Sequence, residues 1–196
     1  SPGIQTVTYA VTGEGICPPE AELQITVFSP PNPIINPPPT ACSNGSPFFM
    51  TASPAGGTWG GAAAPNGQVS PSALGAGTHT VTYTVTDANG CTGEASRNIT
   101  ILAPPDINFT NPGPFCASDQ FAFLTATPGG GTWSNGAFPS GQVNIQSLGV
   151  GTHTATYTVT APNGCTSTDV QTFQIVPPPV AAIVDPGPFC EGDFPI

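Results

Sequence analysis

The chain has 196 residues, and its 26 prolines and 24 glycines make about a quarter of it helix-breaking. Apolar residues make up 38% and charged residues only 6%, which excludes the low-hydrophobicity, high-charge composition of disordered chains. Eleven acidic residues stand against one cation, Arg97, and no apolar run approaches the ~20 residues of a membrane span. Nucleic acid and anionic membrane surfaces, which bind proteins through clustered Lys and Arg, are therefore poor partners, and neither nucleic-acid binding nor a membrane span is expected.

The main signal in the sequence is an internal repeat. Cysteines recur in pairs at alternating spacings of 25 and 49, so that the pattern returns every 74 positions; they are Cys17, Cys42, Cys91, Cys116, Cys165 and Cys190. The segment 42–102 aligns on 116–176 without a gap, and 30 of its 61 positions are identical, which is typical of repeat architectures. We therefore predict four parts: the C-terminal part of a repeat at 1–30, complete β-sandwich repeats at 31–103 and 104–177, and the N-terminal start of the next repeat at 178–196.

Short strands are predicted in the first half of each repeat, where β-branched and aromatic residues alternate with turn residues. In chain order these are a leading strand at 32–36 (and at 107–110 in the second repeat), a strand at 48–53, a strand that begins at 58–59, and one or two short strands within 62–74. No ten-residue window avoids both Gly and Pro while keeping a helical apolar stripe, so helix is nearly excluded.

A longer strand follows, because every even position from 78 to 86 is threonine. A period of two indicates one buried and one solvated face. The residues on the predicted inner face are His79, Val81, Tyr83 and Val85, and in the second repeat His153, Ala155, Tyr157 and Val159. The Asn-Gly pair at 89–90 predicts a tight hairpin turn, with 92–102 as the partner strand. The single tryptophan of each repeat, Trp59 or Trp133, is predicted to lie at the centre of the core.

About seven strands per repeat predict an all-β fold built from tandem immunoglobulin-like or PKD-like β-sandwich repeats. Proline runs stand at equivalent repeat junctions, at 29–33, 103–105 and 176–179. Consecutive prolines favour extended polyproline II and give semi-rigid spacers. We therefore expect stiff, short joints between the repeats.

The cysteines are predicted to form disulfides, because pairs at fixed spacing in an acidic, turn-rich chain are typical of an oxidising compartment. In an immunoglobulin topology, Cys91 and Cys165 lie in the turn between the last two strands, while Cys42 and Cys116 lie just before the second strand at the opposite end. These ends are ~20 Å apart, but a disulfide needs Cα atoms within about 7 Å. This favours a bond across the repeat junction, Cys42 to Cys165. A different topology would instead favour Cys42 to Cys91 and Cys116 to Cys165.

Residues 77–91, which read G-T-H-T-V-T-Y-T-V-T-D-A-N-G-C, carry a family resemblance. They resemble the PKD-like and immunoglobulin-like repeats of giant Bacteroidota cell-surface proteins, including gliding-motility adhesins that the type 9 system secretes. The resemblance implies export to the cell surface, long filaments and an adhesive role. The sequence departs from that pattern at His79 and His153, where the family often has an aromatic residue, and at Ala161-Pro162, which replaces Asp87-Ala88.

No catalytic, cofactor or metal site is predicted. His79 and His153 are the only general-base candidates, and both read as packed histidines that bond to a loop backbone, since no nucleophile or oriented partner accompanies them. The glycines at 129–131 precede a strand instead of a helix and lack the lysine of a phosphate loop. The acidic residues read as a solubility feature, with calcium binding as the alternative. Glycosylation acceptor triplets begin at Asn44, Asn98 and Asn108.

These patterns predict a non-catalytic structural region of an extracellular filament or adhesin stalk. Its expected partners are neighbouring repeats of the same long chain, self-assembly into filaments, and surface polysaccharide or other cells. The alternative is a carbohydrate-binding or spacer module of a large secreted glycoside hydrolase, which exposed aromatics on one face would favour. Ice binding through the threonine face is disfavoured, because one strand per repeat is too little for a flat lattice.

Overall fold

The computed structural model describes residues 1–10, 20–110 and 113–182. The chain divides into two compact units, Ser1–Pro104 and Pro105–Ile196. Cys17 and Cys190 lie outside the described residues, as does most of the predicted start of a further repeat at 178–196.

The first unit begins with an antiparallel pair of eight-residue strands, β1 (Gly3–Ala10) and β2 (Glu20–Val27), whose side chains are almost all exposed. Eight strands and a helical turn follow: β3 (Ile34–Ile35), β4 (Ala41–Cys42), β5 (Phe48–Phe49), β6 (Ala52–Ser53), β7 (Thr58–Gly61), β8 (Gln68–Val69), α1 (Pro71–Leu74), β9 (Gly77–Thr86) and β10 (Thr92–Leu102).

The second unit repeats this series. Its elements are β11 (Asn108–Phe109), β12 (Phe115–Cys116), β13 (Phe121–Phe123), β14 (Ala126–Thr127), β15 (Thr132–Ser134), β16 (Gln142–Asn144), α2 (Ile145–Leu148), β17 (Gly151–Thr160) and β18 (Thr166–Val176). The all-β class predicted from the composition is therefore confirmed.

Among the described residues, each unit contains one four-stranded sheet and two pairs of short strands, and the first unit also has the β1-β2 pair. In the first unit the sheet has the order β4-β10-β9-β7, with the pairs β3-β6 and β5-β8; in the second the order is β12-β18-β17-β15, with the pairs β11-β14 and β13-β16. The long hairpins β9-β10 and β17-β18 match the predicted strands and turn, because alternating side chains and an Asn-Gly turn specify both the strands and their register.

The core of each unit lies where the inward side chains of the sheet meet those of the short strands. In the first unit its buried residues are Ile35, Ala41, Met50, Trp59, Ala63, Val69, Val81, Tyr83, Val85, Ile99 and Ile101. In the second they are Ala122, Leu124, Trp133, Val143, Ile145, Ala155, Tyr157, Val159, Phe173 and Ile175. Most positions are equivalent under the repeat, so the two cores are variants of one packing pattern.

The strand predicted at 48–53 is two strands, and that prediction was wrong in its continuity. Residues 48–49 pair with β8, whereas residues 52–53 pair with β3. Between them the Met50 N–H donates to the Gly67 carbonyl at 2.9 Å, and the Met50 side chain is buried. The chain therefore changes partners at Met50, which interrupts the period-two pattern.

The prediction that helix is nearly excluded also needs correction, because the described residues include two one-turn helices. In α1, the end of the run 62–74, the Gly75 N–H donates to the Pro71 carbonyl at 2.9 Å, and proline occupies the first turn. In α2 the Asn144 side chain accepts the Ser147 N–H at 3.1 Å. A helix of four residues is too short to produce an apolar periodicity.

Cys42 was predicted to lie just before a strand, but it is part of one. The two residues of β4 pair in parallel with the end of β10, with Ala41 opposite Ile101 and Cys42 opposite Leu102. The equivalent pairing in the second unit places Cys116 opposite Val176. This contact joins an early strand of each repeat to its last strand, so it depends on tertiary structure and has no local sequence pattern.

Candidate functional site

The predicted core aromatics lie against each other in both units. Trp59 on β7 stands opposite Tyr83 on β9, and their ring centroids are 4.7 Å apart. Trp133 and Tyr157 have the same relationship at 4.9 Å. All four side chains are at least nine-tenths buried. Each unit therefore has the same aromatic pair at its centre.

The tyrosine hydroxyl ties this aromatic pair to a turn. Tyr83 Oη donates to the Pro54 carbonyl at 2.9 Å and accepts the Gly57 N–H at 2.7 Å. In the second unit Tyr157 Oη donates to the Pro128 carbonyl at 2.8 Å and accepts the Gly131 N–H at 2.9 Å. We call this arrangement the tyrosine clamp. It satisfies two backbone groups of a turn that lie beside the core, where unpaired polar groups are costly.

The tyrosine clamp requires glycine at residues 57 and 131, because neighbouring atoms leave no room for a side chain there. A Cβ on Gly57 would lie 2.4 Å from the Thr84 carbonyl oxygen and 2.6 Å from Tyr83 Cζ. A Cβ on Gly131 would lie 2.4 Å from Tyr157 Cζ. In the Gly-Gly-Thr-Trp segment of both repeats, the second glycine therefore makes room for the tyrosine ring.

The two histidines are half-buried on the inner side of β9 and β17. The Nε2 of His79 donates to the Gly75 carbonyl at 3.1 Å, and that of His153 donates to the Gly149 carbonyl at 2.9 Å. His153 also lies against Phe173, with ring centroids 5.7 Å apart. These bonds fasten the glycine that ends each helical turn to the following strand, and the partner that each Nε2 finds is a backbone oxygen.

The four cysteines of the described residues fall into two classes. Cys42 and Cys165 are disulfide-bonded, whereas Cys91 and Cys116 are half-buried free thiols. The alternative prediction of pairs within a repeat, Cys42 to Cys91 and Cys116 to Cys165, is therefore wrong. The favoured prediction, a Cys42–Cys165 bond, requires that these two cysteines be bonded and that Cys91 not be bonded to Cys42, as is observed.

Side-chain oxygens hold the turns that carry Cys91 and Cys165. Asp87 Oδ1 accepts the N–H groups of Asn89 and Cys91, both at 2.9 Å. The second unit has Ala161 instead of Asp87, and there Asn163 Oδ1 accepts the Cys165 N–H at 3.0 Å. Ala161 departs from the family pattern at this position, but the Cys165 N–H still has a side-chain acceptor.

Other expected sites have the following surroundings. The asparagines of the three acceptor triplets, Asn44, Asn98 and Asn108, are at least partly accessible. Among the described residues no three His, Cys, Asp or Glu side chains are grouped so that they could hold a metal ion. In the same part of the chain no helix has both the length and the apolar character that crossing a membrane requires.

Sequence reasoning missed an exposed aromatic pair on β13. Phe121 and Phe123 are 42% and 55% exposed, on either side of the buried Ala122. Their repeat equivalents are Pro47 and Phe49, and Phe49 is 59% exposed. The alternation of residues 121–123, Phe-Ala-Phe, could have revealed the pair if Ala122 had been assigned to the core face.

When the chain was compared with known proteins, no family model and no curated protein matched it.

Proposed function

We propose that this chain is the non-catalytic structural repeat region of an extracellular filament or adhesin stalk, made of tandem immunoglobulin-like or PKD-like β-sandwiches. The observation that carries the proposal is the recurrence of the tyrosine clamp. Tyr157, one repeat period after Tyr83, makes every polar contact that Tyr83 makes. Retaining one internal scaffold while surface positions change is what a spacer requires, because each copy adds length without adding a new fold.

The cysteines support an exported, oxidised location. Structural disulfides persist outside the cytosol, and two of the four described cysteines are bonded. We infer that Cys42 and Cys165 are each other's partners, because they are the two bonded cysteines among the described residues, where Cys91 and Cys116 are free. The bond would then connect successive repeats and supplement the proline-rich joint between them. Such a covalent connection suits a chain that transmits force more than one that binds a small molecule.

The surface composition fits a stalk that works in variable external media. Its exposed threonines bond to one another across the long hairpins, as Thr158 does to Thr168 at 3.0 Å and Thr160 to Thr166 at 2.8 Å. With one cation in the sequence, ion pairs contribute little to stability. Hydroxyl contacts do not depend on ionic strength as exposed ion pairs do. The resemblance to Bacteroidota surface repeats favours a cell-surface, type 9-secreted adhesin of the gliding-motility kind.

Two measurements test this proposal. Negative-stain microscopy of the full-length protein should show long thin fibres, and compact monomeric particles would contradict a stalk. Peptide mapping without reduction should yield a Cys42–Cys165 peptide. Because Arg97 is the only basic residue that trypsin could use, the mapping needs thermolysin or pepsin. A Cys42–Cys91 peptide would contradict the pairing.

The exposed phenylalanines favour a second candidate, the carbohydrate-binding or spacer module. Phe121 and Phe123 project from the same side of β13, where aromatic rings can stack on sugar rings. A glycan array probed with the chain and with the Phe121→Ser/Phe123→Ser variant distinguishes the two functions. Binding that the variant loses would favour the carbohydrate module, and no binding by either protein would leave the structural role.

A further inference from the structure

Among the described residues, the two cysteine positions of the repeat each occur once bonded and once free. Cys42 is bonded, and its equivalent in the next repeat, Cys116, is free. Cys165 is bonded, and its equivalent in the preceding repeat, Cys91, is free. Each free thiol therefore has a repeat equivalent that is already part of a disulfide.

The backbone at each free cysteine has the hydrogen bonds of its bonded equivalent. Beside Cys42 the Ser43 N–H donates to the Leu102 carbonyl at 2.8 Å, and beside Cys116 the Ala117 N–H donates to the Val176 carbonyl at 2.9 Å. The carbonyl of each cysteine also accepts the backbone N–H of the third residue after it, at 2.8 Å for Cys42 and 3.0 Å for Cys116.

The same holds for the turn cysteines. The Cys91 carbonyl accepts the Asp87 N–H at 2.9 Å, and the Cys165 carbonyl accepts the Ala161 N–H at 2.8 Å. The backbone at each free thiol therefore already has the hydrogen bonds found at its bonded equivalent. The missing element is a partner thiol.

The spacing of the bonded pair identifies that partner. Cys42 and Cys165 are 123 positions apart (165 minus 42). In flanking repeats of the same kind, the same step forward from Cys116 would reach the equivalent of Cys165, and the same step backward from Cys91 would reach the equivalent of Cys42.

We infer that Cys91 and Cys116 are acceptor positions for disulfides with flanking repeats of the same kind, so that every repeat is bonded once to the repeat before it and once to the repeat after it. This inference rests on the proposed Cys42–Cys165 pairing. The ligand of each free thiol is thus a cysteine of another copy of this repeat unit.

The chemistry is a thiol–disulfide exchange. The two thiols lose two protons and two electrons and form one S–S bond, and a disulfide-carrying oxidant of the export compartment takes them up and becomes a dithiol. Half-buried Cys91 and Cys116 remain accessible to such an oxidant. One bond per junction forms without any change in the fold of a repeat.

A lengthened chain tests the inference. Residues 30–177 are placed twice in succession between residues 1–29 and 178–196; Pro30 then follows Pro177 as Pro178 does in the original sequence, so the repeat stays in phase. The insertion adds four cysteines. Both chains are made in an oxidising compartment, denatured, alkylated without reduction and weighed as intact proteins.

The lengthened chain should contain no more free thiols than the original, because Cys116 of the first copy bonds Cys91 of the second. Two additional free thiols, together with an intact Cys42–Cys165 peptide, would overturn the inference but leave the proposed pairing standing. Loss of the Cys42–Cys165 peptide from both chains would overturn the two together.

A matched pair of variants fixes the identity of the bond. With Cys91→Ser in the first copy and Cys116→Ser in the second, the lengthened chain should still yield a Cys116–Cys91 peptide. With Cys116→Ser in the first copy alone, the peptide between the copies should disappear and Cys91 of the second copy should be alkylated. A Cys116–Cys91 peptide confined to one copy would contradict the inference.

Discussion

Tyr83 Oη accepts the backbone N–H of Gly57, 26 positions earlier in the chain, at 2.7 Å. Because the same oxygen donates to the Pro54 carbonyl, one side chain fixes both ends of the turn. The ring beneath it packs on Trp59. Turn, strand and core are therefore positioned by a single residue type that recurs once per repeat.

Tyr83→Phe should lower the free energy of unfolding of the first unit by about 1–3 kcal/mol, because it leaves two backbone groups without their partner while keeping the ring. Tyr157→Phe should do the same in the second unit. Urea denaturation followed by tryptophan fluorescence measures both, since each unit has one tryptophan beside its tyrosine. The matched control is Tyr9→Phe, which alters a 68% exposed side chain and should change the stability by no more than about 0.5 kcal/mol. Equal effects at Tyr9 and Tyr83 would contradict the clamp.

Gly131→Ala should destabilise the second unit by about 1–3 kcal/mol, because the new methyl group overlaps the Tyr157 ring and the Thr158 carbonyl oxygen, 2.5 Å away. Gly129 provides the control in the same turn, since a Cβ there meets no atom within 4 Å. Gly129→Ala should be neutral or slightly stabilising, because alanine restricts the unfolded chain. Thermal unfolding of the two variants compares them directly, and similar melting temperatures would refute the close-approach argument.

The two cores differ by a compensating exchange of volume. Fully buried Val81 and Ile99 of the first unit correspond to Ala155 and Phe173 of the second. Ala155→Val alone should overpack the second unit and cost about 1–3 kcal/mol. Adding Phe173→Ile, which restores the first unit's pair on diagonal positions of neighbouring strands, should recover most of the loss.

A double-mutant cycle measures this coupling by chemical denaturation. The Phe173→Ile single variant completes the cycle and should itself destabilise by leaving a cavity. A coupling energy of zero would show that the two positions do not share one packing volume.

Asp87→Ala should weaken the turn before Cys91 by about 1 kcal/mol, because the N–H groups of Asn89 and Cys91 lose their acceptor. Asp87→Asn keeps a side-chain oxygen, as Asn163 does in the second unit, and should retain most of the stability. Hydrogen exchange of the Cys91 amide reports the change locally: it should accelerate in the alanine variant and stay slow in the asparagine variant. Equal protection in both would exclude the side chain as the support of the turn.

The sequence allowed the long hairpins to be predicted closely, because in 77–86 alternation and in 89–90 turn chemistry act locally. It did not reveal β4, whose two residues become a strand only by meeting the distant end of β10. The same distinction holds for the site. Cys91 could be placed in its turn from Asn89-Gly90, but the target of the Tyr83 hydroxyl lies across 29 positions and follows from packing. The exposure of Phe123 was missed because strand alternation alone does not say which face is covered.

The parallel pairing of β4 with β10 has a mechanical consequence. When a repeat is pulled by its two ends, β4 is drawn towards its own start and β10 towards its own end, so their hydrogen bonds are loaded along the strand direction and must fail together. With the proposed pairing, the disulfide at Cys42 would add a second point of attachment beside Leu102, at the same end of the sheet. Tension would then act on β4 and β10 at the same end of the sheet. The hydrogen bonds between these two strands would therefore carry less shear load while the disulfide is oxidised. Reduction would return that load to the backbone, so the tensile strength of the proposed stalk would follow the redox state of its surroundings.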